Sequence, residues 1–237
     1  MYRTIFSYYG GKGIISSKYP NPIKNIIIEP FAGGAAYSLK HYKKQIILYD
    51  INVQTCEMWE FILSEDAPYH IKKIPKKVTA GDKIDSICNS IKVPVGLKLI
   101  MQASCNVGTA GINRNYQTIT KIAAKHWGKS IDKLFFWWPK IRHWKIINNN
   151  YTSIKNKSAT WFIDPPYNNS AGNIYKHCNI DYMSLGLWCK NRQGQCIVCE
   201  NYGASWLPFS PMMVNNYGIR SKLKKTKNKE VIYTQIL

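Results

Sequence analysis

Asn25-Ile26-Ile27-Ile28-Glu29-Pro30-Phe31-Ala32-Gly33-Gly34 opens the stretch that decides the fold, and Gln45-Ile46-Ile47-Leu48-Tyr49-Asp50 closes it. Each is a short β-branched run stopped abruptly, the first by Pro30 and the glycines, the second on an acid. Uninterrupted apolar runs of this length read as strands buried on both faces. Between them, Ala35 to Lys44 suits a helix. Strand, helix and strand over so few residues predict a βαβ unit with its strands parallel. Three further strands are expected at Ala159–Ile163, at Gln195–Cys199 and at Glu230–Thr234. Both ends of the chain therefore read as one α/β sheet.

The middle differs. From Thr55 to Ser158 the alternation fades, and basic and aromatic residues interleave, among them Lys121, Lys125, Trp127, Lys129, Trp137 and Trp138. This predicts a catalytic domain in two parts, 1–54 and 159–237, with an inserted region at 55–158. The Trp137-Trp138 pair reads as packing before base stacking.

Composition narrows the function. The chain has 237 residues, 33 Lys+Arg against 13 Asp+Glu and a formal charge of +20. Such a surplus points to a polyanion, although abundant Lys, Asn and Ile also suit an AT-rich gene. A 45% hydrophobic fraction excludes a disordered basic tail. No apolar run is long enough for a membrane span, and the start lacks an apolar leader core. Seven scattered cysteines do not make a disulfide framework, and Cys196-x-x-Cys199 sits inside a strand pattern without a second metal-binding pair. The expectation is a reduced cytoplasmic interior, in a bacterium or a phage-infected host.

Asp164-Pro165-Pro166-Tyr167, directly after an apolar strand, carries the most chemistry. Two prolines stiffen the turn at the strand's carboxyl end. The Asp164 carboxylate and the Pro165 carbonyl are two acceptors able to hold an exocyclic amine, whose lone pair is otherwise delocalised into its ring. Holding its hydrogens stabilises the positive charge that grows as it attacks. Tyr167 offers a face for a planar base, so the ring rather than the hydroxyl is expected to matter. In Glu29–Ala36, small residues let backbone approach a ligand, and Asp50 is placed to hold ribose hydroxyls. The glycines do not spell a dinucleotide fingerprint. Ser7-Tyr8-Tyr9-Gly10-Gly11-Lys12-Gly13 lacks P-loop spacing and by itself reads as an N-terminal turn. His177 reads as a surface histidine.

Taken together, in this order, these segments resemble the Dam-like, D12 class of DNA adenine-N6 methyltransferases. That family has a Gly-Gly-Lys segment, a Pro-Phe-x-Gly loop, a variable target-recognition insertion and D-P-P-Y. The segments 203–209 and 222–233 also look like phage-encoded members. The resemblance implies a Rossmann-like S-adenosylmethionine-dependent methyltransferase sheet with an inserted target-recognition region. It implies S-adenosylmethionine as methyl donor, double-stranded DNA as partner, a flipped adenine as target and no metal. Tyr8, Gly10, Gly11, Lys12, Glu29, Pro30, Phe31, Gly33, Gly34, Asp50 and Ile51 would line the donor site, with Asp164 beside it. Asp164, Pro165, Pro166 and Tyr167 would hold the adenine. For DNA, the expected phosphate contacts are Lys121, Lys125, Lys129, Lys224, Lys225 and Lys227, with Asn113, Arg114 and Asn115 presented to base edges. The middle departs from the Dam segment that reads GATC, so that target is not carried over. Two other readings use the same residues: methyl transfer to another planar amine (cytosine N4, an RNA adenine or glutamine), and an idle DNA-binding protein with an inherited fold.

Overall fold

The computed structural model describes residues 2–105, 117–170, 172–212 and 230–237. Among them, seven strands form one sheet: β1 (Ile26–Glu29), β2 (Gln45–Asp50), β3 (Lys145–Asn148), β4 (Ala159–Ile163), β5 (Gly194–Asn201), β6 (Ser210–Pro211) and β7 (Glu230–Ile236). Their order is β3-β2-β1-β4-β5-β7-β6. The first five are parallel; β7 runs antiparallel to β5, and β6 antiparallel to β7. The expected mixed α/β, Rossmann-like sheet is present, and its βαβ unit pairs Ile26 with Gln45 through Glu29 with Leu48.

The apolar runs lack polar alternation because both sheet faces are covered. Along β1, Ile27 joins one core and Ile28 the other; along β4, Phe162 joins the first while Trp161 and Ile163 join the second. The second core lies under α7 (Tyr182–Lys190), which contributes Leu185 and Cys189. The first is covered by α1 (Ala36–Lys40) and by a helical middle: α2 (Val53–Leu63), α3 (Ala67–Lys73), α4 (Ile84–Ile91), α5 (Val95–Cys105) and α6 (Lys121–Ile141).

Two features differ from the sequence reading. The helix after the glycines stops at Lys40 rather than Lys44, because the chain must turn at 41–44 to bring Gln45 beside Ile26. Within 55–158, the two ends belong to the sheet layer. α2 starts at Val53 and packs on β2 and β3, and β3 pairs with β2 from Ile47–Lys145 to Asp50–Asn148. β3 is a short, largely exposed edge strand, so it carries no buried run to betray it. The tryptophans of this span are packing: Trp127, Trp137 and Trp144 are all buried. The indole N–H groups of Trp127, Trp138 and Trp144 donate to the carbonyls of Pro75, Ser64 and Tyr42. Cys196 and Cys199 are likewise fully buried, and neither is in a disulfide. Among the described residues no helix is long and apolar enough to cross a membrane.

Candidate active site

β1 has β2 on one side and β4 on the other, so the connections leaving their carboxyl ends diverge and open a crevice between them. Three acids stand at that edge: Glu29 ends β1, Asp50 ends β2 and Asp164 follows β4. The loop from Pro30 to Ala35 is tied down from below. The Ala32 N–H donates to the Tyr49 carbonyl (2.9 Å), the Gly33 N–H to Asp50 Oδ2 (3.0 Å), and Trp59 Nε1 to the Gly33 carbonyl (2.8 Å). Gly33 has a left-handed φ of 44°, and a Cβ there would sit 2.8 Å from the Tyr8 ring. Glycine is thus required twice over, by conformation and by close approach.

A cleft of about 940 Å³, open to solvent at its mouth, follows this edge. Of the expected donor-site residues it is lined by Tyr8, Gly10, Gly11, Lys12, Glu29, Phe31, Gly33, Gly34, Asp50, Ile51 and Asp164, and also by Pro166. Pro30 and Pro165 are buried and are not among the lining residues. The N-terminal segment, weak by itself in sequence, forms one wall. It is held there by the Tyr175 hydroxyl, which donates to the Tyr9 carbonyl (2.8 Å). Tyr175, Lys176 and an exposed His177 complete the rim.

Asp50 already works within the protein. Its Oδ2 accepts from Gly33 and its Oδ1 from the Asn52 N–H (2.9 Å), which leaves one further lone pair on each oxygen for a ligand. Burial raises its pKa against these two donors. Glu29 is more deeply buried; its Oε1 accepts from the Ser38 N–H (2.8 Å), and burial pushes its pKa up to about 8.

Next to the cleft, Lys12 Nζ lies 2.9 Å from Asp164 Oδ1, 3.7 Å from Glu230 Oε1 and 4.4 Å from the centre of the Tyr167 ring. Burial would lower the pKa of Lys12, but the carboxylates of Asp164 and Glu230 outweigh it and hold the ammonium above its usual value. Burial pushes Asp164 up to about 6, with Lys12 opposing and Glu230 assisting. The Tyr167 hydroxyl donates to Glu230 Oε1 at 2.6 Å, and Tyr19 donates to the same oxygen at 2.7 Å. The sequence reading valued only the ring of Tyr167; its hydroxyl is engaged as well. Behind the turn, Glu200 Oε2 accepts from the Asn168 N–H (3.2 Å) and from Trp206 Nε1 (3.0 Å), while the Tyr182 hydroxyl donates to the Pro166 carbonyl (2.6 Å).

Sequence reasoning missed Glu200 and Glu230. Each lies within a β-rich run, and an acid held inside a strand of a chain this basic is the signal that could have found them. Lys121, Lys125 and Lys129 are exposed at four-residue spacing along α6, which puts them on one stripe of its surface. Asn113, Arg114, Asn115, Lys224, Lys225 and Lys227 lie outside the described residues.

Comparison with protein families finds that a model described as D12 class N6 adenine-specific DNA methyltransferase matches residues 8–185. That is well over half of the chain, and it spans the cleft from Tyr8 to His177 together with the Asp164–Tyr167 turn. Glu200 and Glu230 fall beyond it. A search of curated proteins finds no match to the chain.

Proposed function

The chain belongs to the D12 class of N6 adenine-specific DNA methyltransferases, and on that premise we propose that the cleft takes S-adenosylmethionine while the Asp164–Tyr167 turn takes an adenine extruded from double-stranded DNA. One observation carries the reading: Asp164 belongs to the cleft wall and to the Tyr167 turn at once, so a donor space and an amine acceptor share a wall. The cleft fits a nucleoside-like donor. It has glycines where backbone must come close, the aromatic walls of Tyr8 and Phe31, and an acid with spare lone pairs at the end of β2. When bound, the donor would supply an electrophilic methyl on a sulfonium.

The remaining work falls to the protein's own groups. Adenine N6 is not accessible in line within a stacked duplex, so the base must leave it. Ionised Asp164 accepts a hydrogen bond from N6 and stabilises the charge growing there, with the Pro165 carbonyl as second acceptor. Lys12 keeps Asp164 ionised through Oδ1, and the carboxylate's remaining lone pairs can accept from the amine. The Tyr167 ring supports the purine face. Proximity and electrostatics suffice, and the released proton can pass to water.

The test is Asp164→Ala. Loss of one preorganised acceptor should reduce methyl transfer by about 100-fold or more, with unchanged folding by circular dichroism. Activity within a few-fold of wild type overturns the assignment.

A further inference from the structure

The Asp164–Tyr167 turn is completed by a residue from the far end of the chain. Glu230 is the first residue of β7, which pairs antiparallel with β5 from Asn201–Glu230 to Gln195–Ile236. That pairing brings its carboxylate beside the turn, 63 residues after Tyr167 in sequence. One oxygen, Oε1, receives the hydroxyls of both Tyr167 and Tyr19 and also faces Lys12. The Tyr19 ring packs edge-on against Phe162 (5.0 Å between centres), so this second donor is fixed by the core of β4.

Two consequences follow for a base entering the site. A Tyr167 ring held at its hydroxyl by a buried charge cannot tilt freely, so the stacking face keeps its orientation. And Lys12 meets Asp164 through Oδ1 alone, at 2.9 Å, so the carboxylate keeps lone pairs for the amine while the ammonium stays in place. Glu230, 3.7 Å from Nζ, is a second anion beside this buried cation and helps to hold it there.

We propose that Glu230 is a positioning residue for adenine methylation: it anchors Tyr167 through its hydroxyl and holds a second negative charge beside the Lys12 ammonium that pairs with Asp164. This rests on the assignment of Asp164 and Tyr167 to the base. Glu200 serves the same turn through the Asn168 N–H, but its carboxylate makes no hydrogen bond or ion pair with Tyr167 or Lys12 among the described residues.

Two substitutions separate the two duties. Glu230→Gln keeps an oxygen for the tyrosines and removes the charge; Glu230→Ala removes both. Single-turnover methylation of DNA lacking adenine methylation, followed with labelled donor, should slow about tenfold for Glu230→Gln and about 100-fold for Glu230→Ala. Donor affinity by calorimetry should stay within twofold of wild type for both, which general damage to the fold would not allow. Tyr167→Phe added to Glu230→Ala should slow the reaction no further, because the same hydrogen bond is already gone. A wild-type rate for either Glu230 variant overturns the proposal, as do penalties that multiply in the double variant or donor affinity that falls in step with rate. Asp164→Ala separates this from the parent reading. If that variant is inactive while the Glu230 variants are normal, only the role of Glu230 fails; if it remains active, the assignment of the turn to adenine fails.

Discussion

Ionised Asp164 can stabilise the positive charge that grows on the amine, and protonated Asp164, without its negative charge, does so far less well. With burial raising its pKa to about 6, the rate of methyl transfer should fall as pH drops through that value. Lys12 opposes the rise, so Lys12→Met should move the acid limb to higher pH. Single-turnover rates between pH 5 and 8 for both proteins would check this, and an unmoved limb would show that another group titrates. Asp50 behaves differently, since its oxygens already anchor Gly33 and Asn52. Asp50→Ala should weaken donor binding by about 1–3 kcal/mol, through lost contacts to the ligand and a looser 30–35 loop. Calorimetry at fixed pH measures it, and an unchanged affinity would remove Asp50 from the donor site.

β1, its glycine loop and β2 act as one element, and Glu29 gives that element a pH response. The unfolded chain releases this proton near the ordinary carboxyl value of 4.5, whereas the folded protein keeps it until about 8. Stability from this group is therefore complete below the unfolded value and lost as pH rises through the folded one. The melting temperature of the free enzyme should decline between about pH 4.5 and 8, and Glu29→Gln should flatten that decline. Gly33→Ala should strain the loop and push the Tyr8 ring from its place, weakening donor binding more than it lowers the melting temperature. The element was legible in sequence because apolar runs buried on both faces leave nothing polar to obscure them. β3 was not, since Lys145 and Asn148 flank two isoleucines on an exposed edge. The site was legible wherever its residues sit in the loops that leave β1, β2 and β4. Glu200 and Glu230 reach the turn through the β5–β7 pairing, and no local spacing records a contact between strands so far apart. The contact that seats Tyr175 on the N-terminal wall was hidden for the same reason.

Across the whole molecule, the surplus of +20 should govern affinity for DNA. Binding should fall steeply with salt, with a log–log slope of about −0.9 for each phosphate neutralised. Replacing Lys121, Lys125 and Lys129 on α6 by Ala should flatten the slope by up to that amount per lysine, equally on unrelated sequences. Fluorescence anisotropy against salt reads this directly, and an unchanged slope would place the phosphates on another face. The union of Lys12, Asp164 and Glu230 bears on the molecule in time as well as in space. A ribosome makes Lys12 and Asp164 long before Glu230, and a sheet can pair its first strands as they emerge. The growing polypeptide thus has every wall of its cleft before the anchor for Tyr167 exists. On the proposed role of Glu230, the Tyr167 turn is tightened only once β7 has been made and has paired with β5.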